Sequence, residues 1–218
     1  MNKNEWDKLW KQIKLIQDGF EPGVVFIGGV AVFAHIMESA YRDFFSFSHD
    51  ADFVISLSDY TDLKDIEQVT PNRRLSKAQF YKGGFEFDVY VEGQNDLSVP
   101  YGEIAAHSEV KFGIRVACQA HLLVLKLKAL ESRGGSSKGE KDEDDVIRIL
   151  LTMDEDDVSP HLMARLDDNM VLNLERIVRS DASVRLTSGN LHRASELRRI
   201  VVETLQQIIH LKNRAPTP

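Results

Sequence analysis

The chain has 218 residues, of which 43% are hydrophobic and 28% charged, so it has enough apolar material to bury a core and too much to be a long disordered segment. Its formal net charge of -7 argues against a surface that attracts nucleic acid all over, while leaving room for a local basic face. Cys118 is the only cysteine, which excludes an intrachain disulfide and argues against a cysteine-ligated zinc site.

Trp6, Leu9, Trp10, Ile13 and Ile16 recur at three- and four-residue spacing and predict an amphipathic helix, ended by Glu21-Pro22-Gly23. The same segment carries Lys, Asp and Glu throughout and lacks the apolar run of a signal peptide. No stretch is long and apolar enough to cross a bilayer, so the expectation is a cytoplasmic protein with no membrane partner. Val24 to Ile27 is a short apolar run bounded by turn residues, a buried strand, closed by Gly28-Gly29 and followed by a helix over 30–39. Residues 51–56 read as a second buried strand and 58–68 as a short surface helix. Residues 77–81 and 85–91 flank Gly83-Gly84, the chemistry of a two-residue hairpin turn. In the second arm Phe85, Phe87 and Val89 alternate with Glu86, Asp88 and Tyr90, so the two sets face opposite ways. A further small hairpin is expected around Gly113, over 110–112 and 114–117. Beyond it the pattern turns helical, over 122–132, 142–153, 160–166, 170–179 and 191–211. The expected organisation is an α/β core over 1–117 and a helical domain over 118–218. Residues 134–139, Gly-Gly-Ser-Ser-Lys-Gly, follow a helix and place Lys before Gly. They read as a flexible connector and not as a phosphate loop, which needs a strand before it and Gly-Lys-Ser/Thr at its end.

Three features carry chemistry jointly. Gly28-Gly29, between a buried strand and a helix, lets a phosphate approach the backbone where helix amides point outward; alone, without the full fingerprint of a nucleotide loop, it reads as a tight strand-to-helix turn. Asp50-Ala51-Asp52 opens a strand, and residues two apart share a face, so the two carboxylates repel unless a hard cation such as magnesium lies between them. Alone, the pair also reads as two solvated side chains at a loop–strand junction. Asp88 stands mid-strand, a poor position for an unpaired acid. With Glu86 it could simply mark the solvent side of an edge strand. With Asp50 and Asp52 it completes a three-carboxylate metal site, able to activate a hydroxyl and steady a leaving pyrophosphate.

Taken in order, Phe26-Ile27-Gly28-Gly29-Val30-Ala31-Val32, Ser48-His49-Asp50-Ala51-Asp52-Phe53-Val54-Ile55 and Phe87-Asp88-Val89 resemble the nucleotidyltransferase superfamily. The Gly-Gly-Val-Ala form, the Ser48 two before the first Asp and a lysine-bearing helix are most similar to its AbiEii-like branch of abortive-infection and type IV toxin–antitoxin toxins. The resemblance, over roughly 26–151, implies a nucleotidyltransferase-fold mixed sheet with flanking helices and a C-terminal helical domain. It implies nucleoside monophosphate transfer from an NTP to an acceptor hydroxyl, with Mg2+ or Mn2+ on Asp50, Asp52 and Asp88. Gly28, Gly29 and Ser48 would line the nucleotide, Lys126 would contact the triphosphate, and Asp142, in Lys141-Asp142-Glu143-Asp144-Asp145, would be a supporting or catalytic carboxylate. The acceptor is left open, with RNA (tRNA among it) or a protein as candidates, and an antitoxin protein is a partner that the branch allows. An antibiotic-modifying enzyme of the same fold and an inactive binding or antitoxin module are the rival readings.

Charge divides unevenly: residues 138–168 hold eleven acids and four bases, and 176–218 hold eight bases and three acids. The last helix, with Arg193, Arg198 and Arg199 opposite an apolar stripe, reads as a packed helix with a solvated basic face, or else as a surface for RNA.

Overall fold

The computed structural model describes residues 1–133 and 136–214, the side chains of 160 and 161 excepted. Helix α1 (Lys3–Gly19) begins with a reciprocal cap in which the Asn2 side chain accepts from Glu5 N and the Glu5 carboxylate accepts from Asn2 N, both at 3.0 Å. Its stripe of Trp6, Leu9, Ile13 and Ile16 is buried. Strand β1 (Val24–Ile27) is buried along its whole length, and α2 (Gly28–Glu38) follows without an intervening residue. A single 3-10 turn, Arg42–Phe44, leads to β2 (Asp50–Ile55) and then α3 (Leu57–Ile66), whose first turn is capped by Ser56. Then come β3 (Thr70–Asn72), β4 (Lys77–Lys82), β5 (Phe85–Val91), α4 (Tyr101–Ala106), β6 (Glu109–Lys111) and β7 (Ile114–Val116). Gly83 and Gly84 take φ values of 61° and 85°, the left-handed pair that a tight β4–β5 turn requires. Strand β3 and helix α4 are too short to print a periodicity, and the sequence reading did not anticipate them.

The strands form one mixed sheet in the order β3-β4-β5-β2-β1-β7-β6. β2 pairs antiparallel with β1 and parallel with β5, and β4 pairs antiparallel with β5. Because paired residues point to the same side, alternation along each strand builds two chemically opposite faces. One face carries Phe26, Ala51, Phe53, Ile55, Ala78, Phe80, Phe87, Val89 and Val91, all buried. Its rings run across four strands: Phe26–Phe53 at 5.7 Å, Phe53–Phe80 at 6.3 Å and Phe80–Phe87 at 5.0 Å between centroids. The other face carries the acids.

Helices α5 (Gln119–Arg133), α6 (Ser137–Thr152), α7 (Pro160–Arg165), α8 (Asp168–Arg179), α9 (Ala182–Leu186) and α10 (Leu191–Arg214) make up the back half. The connector expected over 134–139 is shorter than its glycines implied. Ser136 caps α6 by accepting from Gly139 N at 3.1 Å, so Lys138 and Gly139 are already helical. Gly134 and Gly135 lie outside the described residues.

The chain divides into two compact units, Met1–Ala34 with Ser46–Cys118, and His35–Phe45 with the described part of Gln119–Pro218. A division of the chain at 117/118 leaves 35–45 in the front half, yet this segment is held by the helices. Arg148 Nε donates to the Phe44 carbonyl at 2.7 Å, and the Arg193 guanidinium lies 5.0 Å from the Phe44 ring centre. Among the described residues no helix is long and apolar enough to cross a membrane.

The aromatic row sets the stability of the sheet unit. Replacing Phe53, fully buried between Phe26 and Phe80, by Ala is expected to lower its unfolding free energy by about 3–5 kcal/mol, read from urea denaturation followed by tryptophan fluorescence.

Candidate active site

The parallel pairing of β2 with β5 sets Asp50 opposite Glu86 and Asp52 opposite Asp88. All four carboxylates therefore stand on the face away from the aromatic row. β1 brings its C-terminal end to the same place, with Ile27 opposite Asp52. The next residue, Gly28, has φ 62°, and a Cβ there would run into the Asp52 carboxylate, 3.1 Å from its Cγ and 3.2 Å from its Cβ. Gly28 is thus required twice, by a backbone conformation that side chains resist and by the acid lying against it. The negative charge of Asp52 rests at the start of α2, where the helix amides favour it. Asp50 is oriented from behind by Ser48, a buried residue whose Oγ donates to Asp50 Oδ1 at 2.9 Å.

The two acids of β5 are engaged by β4. Lys77 Nζ bonds Asp88 Oδ2, and Gln79 Nε2 donates to Asp88 Oδ1 at 2.8 Å and to Glu86 Oε1 at 2.6 Å. Tyr81 donates its hydroxyl to Glu86 Oε2 at 2.7 Å. This bond, with the adjacent carboxylate charge, raises the Tyr81 pKa above its ordinary value. The Lys77 and Asp88 side chains are 10% and 8% exposed, so this ion pair is closed off from water and screened little by salt. Lys77 and Gln79 were not among the residues singled out from sequence, although their alternation with buried Ala78 and Phe80 places them on the acidic face.

Among the described residues no three His, Cys, Asp or Glu side chains are arranged to hold a metal ion. The donor chemistry of Asp50 and Asp52 nonetheless suits a hard divalent cation. Magnesium is commonly bound through one or two carboxylates together with substrate phosphates and water, and not by a full protein cage.

Lys126 and Asp142 belong to the helical unit and meet each other there. Lys126 Nζ donates to Asp142 Oδ1 at 2.8 Å and to Asp145 Oδ2 at 2.7 Å. Arg148 donates to Asp145 Oδ1 at 2.8 Å, and Arg133 to Asp142 Oδ2 at 3.1 Å. Burial pulls the Lys126 pKa down, but the charges of Asp145 and Asp142 outweigh it and hold the ammonium above its ordinary value. Asp145 is pushed up by burial and pulled below the ordinary carboxylate range by Lys126 and Arg148. Asp142, Asp145 and Arg148 recur every three residues on α6, a polar line inside an otherwise apolar helix face; that spacing was the available signal for Asp145 and Arg148.

The uneven charges of the back half also meet within that unit. Arg176 pairs with Glu143 at 2.7 Å, and Arg185 pairs with Asp144 at 2.8 Å and Glu143 at 3.2 Å. On α10, Arg198 donates to the Ser180 carbonyl at 2.9 Å and Arg199 pairs with Glu203 at 2.7 Å.

No protein-family model matches the chain, and no curated protein matches it. Among solved structures it is similar to a candidate nucleotidyltransferase from H. pylori, with a TM-score of 0.52 at 11% identity over 100% of both chains. An antigenic nucleotidyltransferase-like protein from Paracoccidioides brasiliensis matches 83% of this chain and 93% of its own, at 16% identity and a TM-score of 0.49. The first likeness is one of fold alone, a mixed sheet with a helical back half.

Two outcomes follow from these contacts. Gly28→Ala is expected to destabilise the sheet unit by about 1–3 kcal/mol, since it imposes both a left-handed alanine and a displaced Asp52; thermal unfolding against the wild type measures it. Lys126→Met removes the shared cation of two buried acids and is expected to cost about 3–5 kcal/mol at neutral pH. The sign with pH follows from the two shifts. The lowered Asp145 pKa contributes stability above the unfolded carboxylate value of about 4, lost as pH falls through its folded value. The raised Lys126 pKa contributes stability below about 10.4, lost only as pH rises through its folded value. The wild-type advantage over Lys126→Met should therefore be level from about pH 5 to 9 and shrink in acid, as chemical denaturation from about pH 2 to 9 would show.

Proposed function

We propose that this protein is a nucleotidyltransferase that moves a nucleoside monophosphate from an NTP to an acceptor hydroxyl, releasing pyrophosphate. The observation that carries the reading is the position of Asp52, lying against Gly28 at the start of α2, with Asp50 two residues before it on the same strand face. A glycine turn at a helix N-terminus offers backbone amides to a phosphate, and two carboxylates beside it offer oxygen ligands to a cation. The nucleotidyltransferase-like fold supports the same reading.

Asp50 and Asp52 would hold Mg2+ or Mn2+, and such an ion supplies charge neutralisation for the triphosphate and activation of the attacking oxygen. Ser48 donates to one Asp50 oxygen and so restrains that carboxylate before any ligand arrives. Gly28 and Gly29 carry no side chain of their own, so the backbone at the start of α2 lies close to Asp52 and to a cation that it would hold. Asp88 stands beside Asp52 across the β2–β5 pairing and completes the acidic face. Lys126, held by Asp142 and Asp145, keeps its positive charge, and the proposal rests on the acids of the sheet without it. The finer reading is the AbiEii-like one, a toxin that modifies RNA and is restrained by an antitoxin protein. It rests on the Gly-Gly-Val-Ala turn, on Ser48 and on the order of the three acids.

The test is turnover. The purified protein, with Mg2+ or Mn2+ and each α-labelled NTP in turn, is expected to label a component of total RNA and release pyrophosphate. Asp52→Ala is expected to keep its melting profile and lose labelling by about 100-fold or more. A labelled antibiotic in a parallel drug panel would move the acceptor from RNA to a drug. No labelling and no metal-dependent NTP binding would reject the enzyme and leave an inactive module of this fold.

A further inference from the structure

We infer that Lys77 is a built-in counter-ion to Asp88, so that the acidic face takes up one divalent cation, at Asp50 and Asp52, and not two ions spread over three acids. This rests on the metal-dependent reading of the site given above and adds to it the number of ions and the residue that sets that number.

Both oxygens of Asp88 are used: Oδ2 by the Lys77 ammonium and Oδ1 by the Gln79 amide. Neither partner is a chance surface contact. The β4–β5 register sets Gln79 directly opposite Asp88, and the Gly83-Gly84 turn pins that register. Lys77 stands two residues farther along β4, on the same face, and reaches back along it to Asp88. The pair is shut off from water, so a metal ion approaching Asp88 would have to displace an ammonium whose own rehydration is hindered. If Lys77 stayed, its positive charge would lie beside a dication at short range. Glu86 is satisfied by Gln79 and Tyr81, both neutral donors. Lys77 thus acts through Asp88 as a positioning residue, holding the third acid in a fixed rotamer beside the cation site.

Mn2+ bound to the full-length protein, counted by electron paramagnetic resonance titration of free Mn2+, tests this directly. The wild type is expected to bind one Mn2+ per chain and Lys77→Arg the same. Lys77→Met, which uncovers Asp88, is expected to bind a second Mn2+ or to tighten the first by about tenfold. Because that variant leaves a buried carboxylate unpaired and so threatens the fold, the double variant Lys77→Met/Asp88→Asn, which removes both charges, is measured beside it. It is expected to bind one Mn2+ with wild-type affinity, within about threefold. Two Mn2+ on the wild type, or loss of Mn2+ binding in the folded double variant, would overturn the inference by showing Asp88 to be a ligand, while leaving the proposed function standing. No Mn2+ on the wild type would instead reject the metal-dependent function itself, and this inference with it.

Discussion

The parallel pairing of β2 with β5 is the constraint on which the rest of the sheet unit depends. It joins strands separated by α3 and the β3–β4 segment, and its register decides which side chains share a face. With Asp52 opposite Asp88 and Phe53 opposite Val89, one pairing buries an aromatic row on one side and aligns four carboxylates on the other. A slip of one residue would send the acids into the core and the rings into solvent, so the hydrophobic energy of Phe26, Phe53, Phe80 and Phe87 also enforces the placement of the acids. Stability and the candidate chemistry are two faces of the same register.

Placing four acids together creates a charge problem, and the molecule answers it locally. On β5 the answer is protein: Lys77, Gln79 and Tyr81 satisfy Asp88 and Glu86. On β2 Asp50 is held by Ser48, and Asp52 lies at the positive end of α2. The helical unit solves a similar problem by another route. Lys126 and Arg148 divide between them the charges of Asp142 and Asp145, and Arg176 and Arg185 meet Glu143 and Asp144. The acidic and basic segments of the back half therefore meet at one place within the unit, where Arg176 and Arg185 face Glu143 and Asp144. The basic side chains that read from sequence as a possible RNA surface include several already committed to neighbours.

Much of this was legible before any coordinates, for reasons particular residues supply. The period of Trp6, Leu9, Ile13 and Ile16 gave α1, and the runs at 24–27 and 51–56 gave two buried strands, the second found at Asp50–Ile55. The glycine pair at 83–84 marked a two-residue turn, and counting outward from it already places Gln79 opposite Asp88. What stayed hidden were elements of three to six residues, such as β3, α4 and α9, too short to show a repeat. The glycines of 134–139 misled in the opposite direction, because a single serine cap at Ser136 was enough to start α6 within them.

The sequence by itself determined the local facts: which residues alternate, where turns must fall, and that Asp50, Asp52 and Asp88 lie on strands with Gly28 at a strand end. Those follow from backbone sterics and hydrophobic period, which act over a few residues. Only the tertiary structure decided that Asp52 lies against Gly28, that Asp88 is closed by Lys77, and that Lys126 is spent on Asp142 and Asp145. A carboxylate's partner is chosen by the register of strands and the packing of helices distant in sequence, and by the requirement that a buried charge find its counter-charge wherever the fold supplies one.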